Sequence, residues 1–426
     1  MAKGWRRDFR FVWAGETASL VGTQVYQLAM PLTAVLTLDA TPGQLGLLGA
    51  LTFAPYLVLG LPAGVLIDRW QRRGVLILSS LGQAVSIGAI PVLAALDRLT
   101  FGWLLAMACV AGTARVFFTI AYRSYLPAIV PPEHLTGANS RLTASESVAE
   151  IGGPGLGGAL VQIVGAPFAL LVDAVSYLAS AVGVGAVRRR EKPVEPDPAP
   201  LRSQVGQGFR FTFANPYLRA TLGEAASYNI CWQIVLTILA LFAVRELDMS
   251  PGTLGVMLSI GAVGALLGAA LTDRLAHRVG LGSTLIAAAV VGDLAPLLLP
   301  AAYKGMWAAP LFAVAFFIQG FGITACNVHT MTIRQMVTPE HLLGRTNAAY
   351  MFVALGVKPV GSLLGGWLGS QLGLRAALLI GTLGLLSTSL FLVLSPLRTV
   401  RDLNSLLPHR PGEPGEPEER AAVRTP

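Results

Sequence analysis

Eight ionisable side chains, Glu16, Arg115, Glu146, Glu150, Asp173, Glu224, Asp293 and Lys358, lie inside long runs of apolar residues. A charge in such surroundings is costly to keep, so these residues are the first candidates for ion or proton handling. Glu146 and Glu150 are four apart, which puts both carboxylates on one face of a helix. Counted along helices, Glu16 is about 9 Å beyond Arg10 and Arg115 about 12 Å from Arg123, a similar depth. Arg115 is the only Arg deep within the apolar runs of the first half, Arg141 standing at the start of its run, and so the natural counter-charge for Glu16, Glu146 or Glu150. A carboxylate that shares one Arg with a rival can change protonation when its surroundings change. That makes Arg115, Glu16, Glu146 and Glu150 the expected proton-coupling group; a static ion pair holding helices in register accounts for the same residues. Asp293 and Lys358 each lie about 18–20 Å from their ends of the runs, a depth at which the two can pair. Glu224, about 7.5 Å beyond Arg219, either lines a cavity or reaches back to interfacial water.

The runs that hold these residues decide the class of protein. Of 426 residues, 54% are hydrophobic and 13% charged, with mean hydropathy +0.62; soluble domains carry roughly 25% charged residues. Apolar stretches of about twenty residues recur, enough for a helix to cross a ~30 Å hydrocarbon core. They predict an all-α membrane protein with twelve transmembrane helices, at 11–38, 43–67, 74–96, 101–122, 139–163, 167–187, 217–243, 252–272, 281–302, 307–332, 346–371 and 374–396. Residues 1–187 then form an N-terminal six-helix bundle and 217–396 a C-terminal one. The stretch 188–216, starting Arg188-Arg189-Arg190 and rich in Pro, is read as a cytoplasmic linker. Within it, Phe209 to Phe213 suit either the membrane surface or a plain linker turn. Residues 397–426 are read as a disordered cytoplasmic tail. Most of the 31 Lys and Arg fall on one side of this arrangement, and only Arg98, Arg245, Lys304 and Arg375 lie in loops of the other. Both termini are therefore expected in the cytoplasm of a bacterium, with the protein multi-pass in its inner membrane. The net charge of +8 reflects this topology and anionic lipid, not nucleic acid. Cys109, Cys231 and Cys326 all fall within spans without metal-ligand spacing, so no disulfide framework, metal or cofactor is expected. The basic start followed by an apolar run is read as an uncleaved first helix.

Two signatures repeat at almost half the chain length. Pro132-Glu133-His134-Leu135 returns as Pro339-Glu340-His341-Leu342, and Gly64-Val-Leu-Ile-Asp68-Arg69 as Ala269-Ala-Leu-Thr-Asp273-Arg274. Two unrelated segments with one period report a tandem duplication, and hence two pseudo-symmetric halves. Both Pro-Glu-His-Leu copies suit helix starts.

The segment Gly64, Asp68, Arg69, Arg72 and Arg73 resembles the G-x-x-x-D-R-x-x-R-R loop signature of the major facilitator superfamily, and Gly153-Pro154-Gly155-Leu156-Gly157-Gly158 its antiporter signature G-P-x-x-G-G. The first resemblance implies a latch on one membrane face, with Asp273 and Arg274 as a degraded second copy. The second implies a bent, tightly packed fifth helix, since Pro154 removes a helix hydrogen bond and the glycines admit a neighbour. Residues 8–397 look like the macrolide-efflux and enterobactin-exporter branch, a likeness carried by Ser19-Leu-Val-Gly22, Ala29-Met30-Pro31, Pro-Glu-His-Leu-x-Gly and Asp173-Ala-Val-Ser176-Tyr177-Leu178. Asp173 matches a position often acidic there, and a structural role is expected for it. The fourth-span signature R-x-x-Q-G is only partly present at Arg115.

The resemblance implies a proton-driven exporter, a secondary transporter and not an enzyme, whose partners are a small molecule, protons and lipid, and which acts as a monomer. The spans that lead each three-helix unit should hold the substrate. Their cavity candidates are Gln24, Tyr26, Gln27, Asn229, Trp232, Gln233, Gln319 and Asn327, joined by Phe117, Phe118, Tyr228, Phe317 and Phe321. Aromatic walls with a few amides suit a bulky amphipathic antibiotic, drug or siderophore. An importer or lipid flippase on the same fold, or a receptor that has lost turnover, are the alternatives. His329 is a weak protonation candidate.

Overall fold

A computed structural model describes residues 4–188 and 201–400, without the side chains of Leu61, Val65, Asp68, Arg69 and residues 201–205. The first half of the chain forms α1 (Gly4–Leu36), α2 (Pro42–Arg69), α3 (Arg72–Ala95), α4 (Phe101–Ile129), α5 (Leu135–Val164) and α6 (Ala166–Gly185). A short helix, α7 (Leu201–Ala214), precedes the second half. There, α8 (Pro216–Leu241) continues through a π turn at Phe242–Glu246, and α9 (Pro251–Val279) follows. Next, α10 (Leu281–Leu294) and α11 (Leu298–Ala301) are joined by a 3-10 turn at Ala295–Leu297. The last elements are α12 (Ala308–Val337), α13 (Glu340–Gly356), α14 (Lys358–Leu372), α15 (Leu374–Thr388) and α16 (Leu390–Val393). Among the described residues, ten helical stretches are long and apolar enough to span a membrane. The long helices α1 and α5 are not among them, because they carry the polar and charged residues that the first half uses; both pack lengthwise against other spans. The chain is an all-α membrane protein.

Local sequence explains the ends of these helices. Thr41 caps α2 through a reciprocal box, its hydroxyl accepting from the Gln44 amide at 3.3 Å while Gln44 Oε1 accepts from the Thr41 amide at 2.8 Å. Ser250 caps α9, accepting from the Thr253 amide at 3.1 Å, and each cap is followed by a Pro. These two starts form a third repeat, Leu38-Asp39-Ala40-Thr41-Pro42-Gly43 against Leu247-Asp248-Met249-Ser250-Pro251-Gly252. Even the backbone agrees: Asp39 and Asp248 have φ of 48° and 50°, and the residue after each donates its amide to a carbonyl six residues back. Single residues, Gly165 and Gly373, turn the chain from α5 to α6 and from α14 to α15 with φ of 89° and 86°, values that favour glycine.

Three expectations change. The span expected at 346–371 is broken at Val357, where Pro359 in the first turn of α14 lacks an amide. The linker stretch is no loose turn: α7 packs on α13, with Phe209 edge-on to Phe352 at 6.1 Å and the Arg345 guanidinium donating to Gln207 Oε1. Residues 397–400, expected in the disordered tail, are packed instead, with Leu397 and Val400 buried and the Gly282 amide bonded to the Val400 carbonyl at 2.9 Å. Residues 1–3, 189–200 and 401–426 lie outside the described residues. The two copies of Pro-Glu-His-Leu both start helices, but differently: the first forms a 3-10 turn whose His134 stacks on Trp5 at 4.6 Å, while Pro339 directly caps α13.

Candidate functional site

Helix α2 presents one face, Gly46, Gly49, Phe53, Leu57, Gly60 and Gly64, spaced by three or four residues, towards the second half. A Cβ on Gly46 would stand 2.9 Å from the Gly366 Cα, and one on Gly49 would stand 2.6 Å from Ser362 Oγ. Further along, the Lys358 ammonium lies 4.9 Å from the Phe53 ring centroid, and a Cβ on Gly356 would meet Leu57 at 3.1 Å. At Gly60 and Gly64 there is nothing within 4 Å. Contacts between α5 and α9 follow the same course. A Cβ on Gly158 would be 3.1 Å from the Gly255 Cα, the Gly155 amide donates to Ser259 Oγ at 2.9 Å, and around Gly152 there is nothing within 4 Å. The halves therefore touch along the end of the molecule where α1 finishes, and part towards the end where α1 begins. On the closed side, the Arg245 guanidinium reaches from the second half to Asp39 Oδ1 and, at 3.1 Å, to the Ala40 carbonyl.

Around the parting, the first-half charges arrange themselves differently from the expectation. Arg115 does not form an ion pair with Glu16, Glu146 or Glu150 among the described residues; its Nη2 donates to the Tyr177 hydroxyl at 2.8 Å, and its guanidinium lies 5.3 Å from the Tyr26 ring. Its acidic neighbour is Asp173 on α6, which is fully buried, with Ser176 beside it and, among the described residues, no well-formed hydrogen bond to either carboxylate oxygen. Tyr177 in turn bonds Thr23 at 3.1 Å. Close approach makes this network possible, since a Cβ on Gly22 would come within 2.7 Å of Asp173 Oδ1. Glu16 instead interacts with Glu146 across the α1–α5 contact, with the buried Tyr122 hydroxyl nearby. Glu146 and Glu150 are both exposed, as the parting of α5 from α9 requires. Ser145 ties the two helices, accepting from Trp13 Nε1 and from the Thr17 hydroxyl, each at 3.0 Å.

In the second half, Asp293 and Lys358 do not meet. Asp293 accepts from the Thr388 hydroxyl at 3.0 Å and interacts with Glu224, which is buried on α8. Lys358 points the other way, to Phe53 of the first half. Helix rotation decides this: equal depth does not place two side chains on facing sides. Of the cavity candidates, Gln319 donates to the Tyr228 hydroxyl at 2.6 Å and both are buried. Trp232 stacks on Tyr228 at 6.2 Å and sits edge-on to Phe316 at 6.4 Å. Asn229 is half-buried, bonded back to the Ala225 carbonyl at 2.8 Å, and Gln233 is buried beside Gly361 and Gly49. Gln24 is packed under Gly153, Tyr26 is buried, and Gln27 and Asn327 are exposed. His329 is buried and bonded to the Thr272 hydroxyl at 2.7 Å.

The motif residues are placed as follows. Arg72 donates to the Ser124 carbonyl at 3.1 Å and Arg73 to the Gly185 carbonyl at 2.5 Å, which ties the start of α3 to α4 and to the end of α6. The side chains of Asp68 and Arg69 lie outside the described residues. Asp273 is exposed and 3.7 Å from His277 on its own helix, and Arg274 is exposed. In the Gly153-Pro154 motif, Gly153 and Gly157 seat α5 on Gln24 and Val25 of α1, while Gly158 seats it on α9. The Asp173, Tyr177 and Thr23 network was the least visible in sequence. Its signals were an acid within an apolar run and the family-like segment from Asp173 to Leu178, neither of which names partners, and the residues that surround it come from three helices.

A duplicated helical membrane protein whose halves touch at one end and part at the other has the architecture of an alternating-access transporter. Residues 5–416 match the family of transmembrane secretion effectors, and the chain belongs to this family of major facilitator transporters. It is 25% identical to the enterobactin exporter EntS of Salmonella typhi, over 92% of this chain and 94% of that one. It is 27% identical to the multidrug efflux pump Tap of Mycolicibacterium fortuitum, over 82% and 87%, and 26% identical to the MFS-type transporter YfiS of Bacillus subtilis, over 86% and 88%. Among solved structures, a bacterial homologue of the iron transporter ferroportin in its inward-facing state superposes with TM-score 0.68 at 19% identity, covering 90% of this chain and 98% of that one. The nucleoside transporter NupG superposes with TM-score 0.73 at 11% identity, covering 91% and 99%. At such identities these structures speak for the fold.

Proposed function

We propose that the protein is a secondary active exporter that carries a bulky amphipathic molecule out of the bacterial cytoplasm in exchange for protons. The observation that carries this reading is the one-sided parting of the halves, with Glu146 and Glu150 exposed on its wall and Glu16 behind them. The excess of Lys and Arg on the side where α1 begins makes that side cytoplasmic. The opening then faces the cytoplasm, and the Asp39–Arg245 pair and the glycine contacts form the external seal. In this reading residues 1–187 and 217–396 rock against each other, as monomeric bundles in the inner membrane, about a central site. The carboxylates exposed in the opening exchange protons with water on one side, then on the other. Relatives named as an enterobactin exporter and a multidrug efflux pump support the direction and the breadth of substrate.

Inverted membrane vesicles acidified inside by respiration test the proposal. Vesicles that hold the protein should accumulate fluorescent dyes or antibiotics above control vesicles, and an uncoupler should abolish the difference. Accumulation that ignores the proton gradient would exclude antiport. Accumulation in intact cells in place of vesicles would make the protein an importer.

A further inference from the structure

Among the described residues, Lys358 is the cation that the second half turns towards the first near the level where they part. Its ammonium lies 4.9 Å from the Phe53 ring centroid and, among the described residues, makes no hydrogen bond or salt bridge. The two acids buried in second-half spans lie elsewhere, Asp293 accepting from the Thr388 hydroxyl and Glu224 close enough to Asp293 to feel its charge. A ring face replaces only part of what water or a carboxylate would supply to a charge held in hydrocarbon. On the external side of Lys358, Ser362 and Gly366 close on Gly49 and Gly46; on the other side, Gly356 still meets Leu57, and beyond it Gly60 meets nothing within 4 Å. The ammonium thus stands in the last turns of the seal, next to the apex of the opening. Lys358 is also the first residue of α14, the 15-residue helix restarted after the break at Val357. Gln233, buried beside Gly361, carries an amide one turn further along the same seam.

We propose that Lys358 is the docking point for an acidic group on the transported molecule, so that the substrates are amphipathic organic anions. The carboxylate or phenolate would meet the ammonium, while its apolar body lies in the opening between the halves. The exposed acids Glu146 and Glu150 on α5 would turn an anionic group away from the opposite wall. The inference rests on the transport reading above, which it sharpens to a substrate class.

The test compares an anionic probe, carboxyfluorescein, with a cationic one, ethidium, by fluorescence polarisation on the full chain in lipid nanodiscs. Wild type should bind carboxyfluorescein more tightly than ethidium. Lys358→Gln should weaken carboxyfluorescein about tenfold, or ~1.4 kcal/mol, and bind ethidium at least as tightly as wild type. Lys358→Arg, which keeps the charge, should retain the preference, and the retained ethidium affinity shows that the variants are folded. A wild type that binds neither probe or prefers ethidium would overturn the assignment. So would a Lys358→Gln variant that alters both probes alike, or neither. Proton-driven pumping in proteoliposomes is scored separately: pumping of ethidium without anion preference sinks this inference and leaves transport standing, whereas anion binding without pumping does the reverse.

Discussion

Arg115 shows how one residue can be found in sequence and still be assigned the wrong company. Depth along a helix, at ~1.5 Å per residue, correctly put it among buried groups, but its rotation towards Tyr177 and Asp173 depends on how closely α1, α4 and α6 pack. That spacing is set by Gly22, whose missing side chain has no periodic signature. Arg115→Lys keeps the charge but loses the planar fork that reaches Tyr177. We expect it to lower the transport rate by about tenfold, equivalent to ~1.4 kcal/mol in the barrier, in a proton-gradient dye assay, with normal expression. The carboxylates make a sharper test. Glu16→Gln, Glu146→Gln and Glu150→Gln should each be compared for transport driven by a pH gradient and for substrate exchange without one. A coupling residue loses the first and keeps the second, and if all three retain gradient-driven transport, none of them carries the proton.

At the scale of the helix, the glycine face of α2 and its counterpart on α5 allow predictions of opposite sign. Gly158 stands against Gly255 where the halves touch, so Gly158→Leu would insert a side chain where the neighbouring Cα is 3.1 Å from an ideal Cβ. Overpacking of this kind costs about 1–3 kcal/mol, and it should drive the population away from the state described here. Gly60 faces open space, and Gly60→Leu should leave this state intact while hindering closure of the opening. Spin labels on α5 and α9 would record the two shifts as longer external distances for Gly158→Leu and their loss for Gly60→Leu. If the two variants moved the distances the same way, the seal would not be a switching contact. Helix existence was legible throughout, because apolar runs of twenty residues have few other fates. The break in the eleventh span was not placed, since Pro359 follows Lys358 inside a run whose hydropathy continues across it. The closing contacts were equally hidden: GxxxG spacing suggests that some helix comes near, without saying which.

For the whole molecule, the duplication was readable from two repeated segments, and the structure adds the third, at the starts of α2 and α9. The three together account for the symmetry of the closed end, where α2 meets α14 and α5 meets α9. One element there is asymmetric. Asp39 crosses to Arg245 of the other half, whereas Asp248 pairs with Lys304 within its own half. Asp39→Asn keeps a residue that tolerates positive φ while removing the charge. It should loosen the closed end, raising the labelling rate of a cysteine introduced in place of Ser362, which is buried against Gly49, by a membrane-impermeant thiol reagent several-fold over the same cysteine with Asp39 intact. Cys109, Cys231 and Cys326 are unpaired and should be replaced first. An unchanged labelling rate would mean that the glycine contacts hold the end shut alone.

Those glycine contacts also bear on how such a protein diversifies. Where α2 meets α14 and α5 meets α9, backbone lies on backbone, with Gly46 on Gly366 and Gly158 on Gly255. The groups proposed to line the cavity, by contrast, Trp232, Asn229, Gln27 and Lys358, would all act through what their side chains carry. Mutation can therefore rewrite the lining of the cavity without touching the surfaces that alternate, and new cargo can be acquired by ordinary drift while the mechanism of turnover is inherited whole.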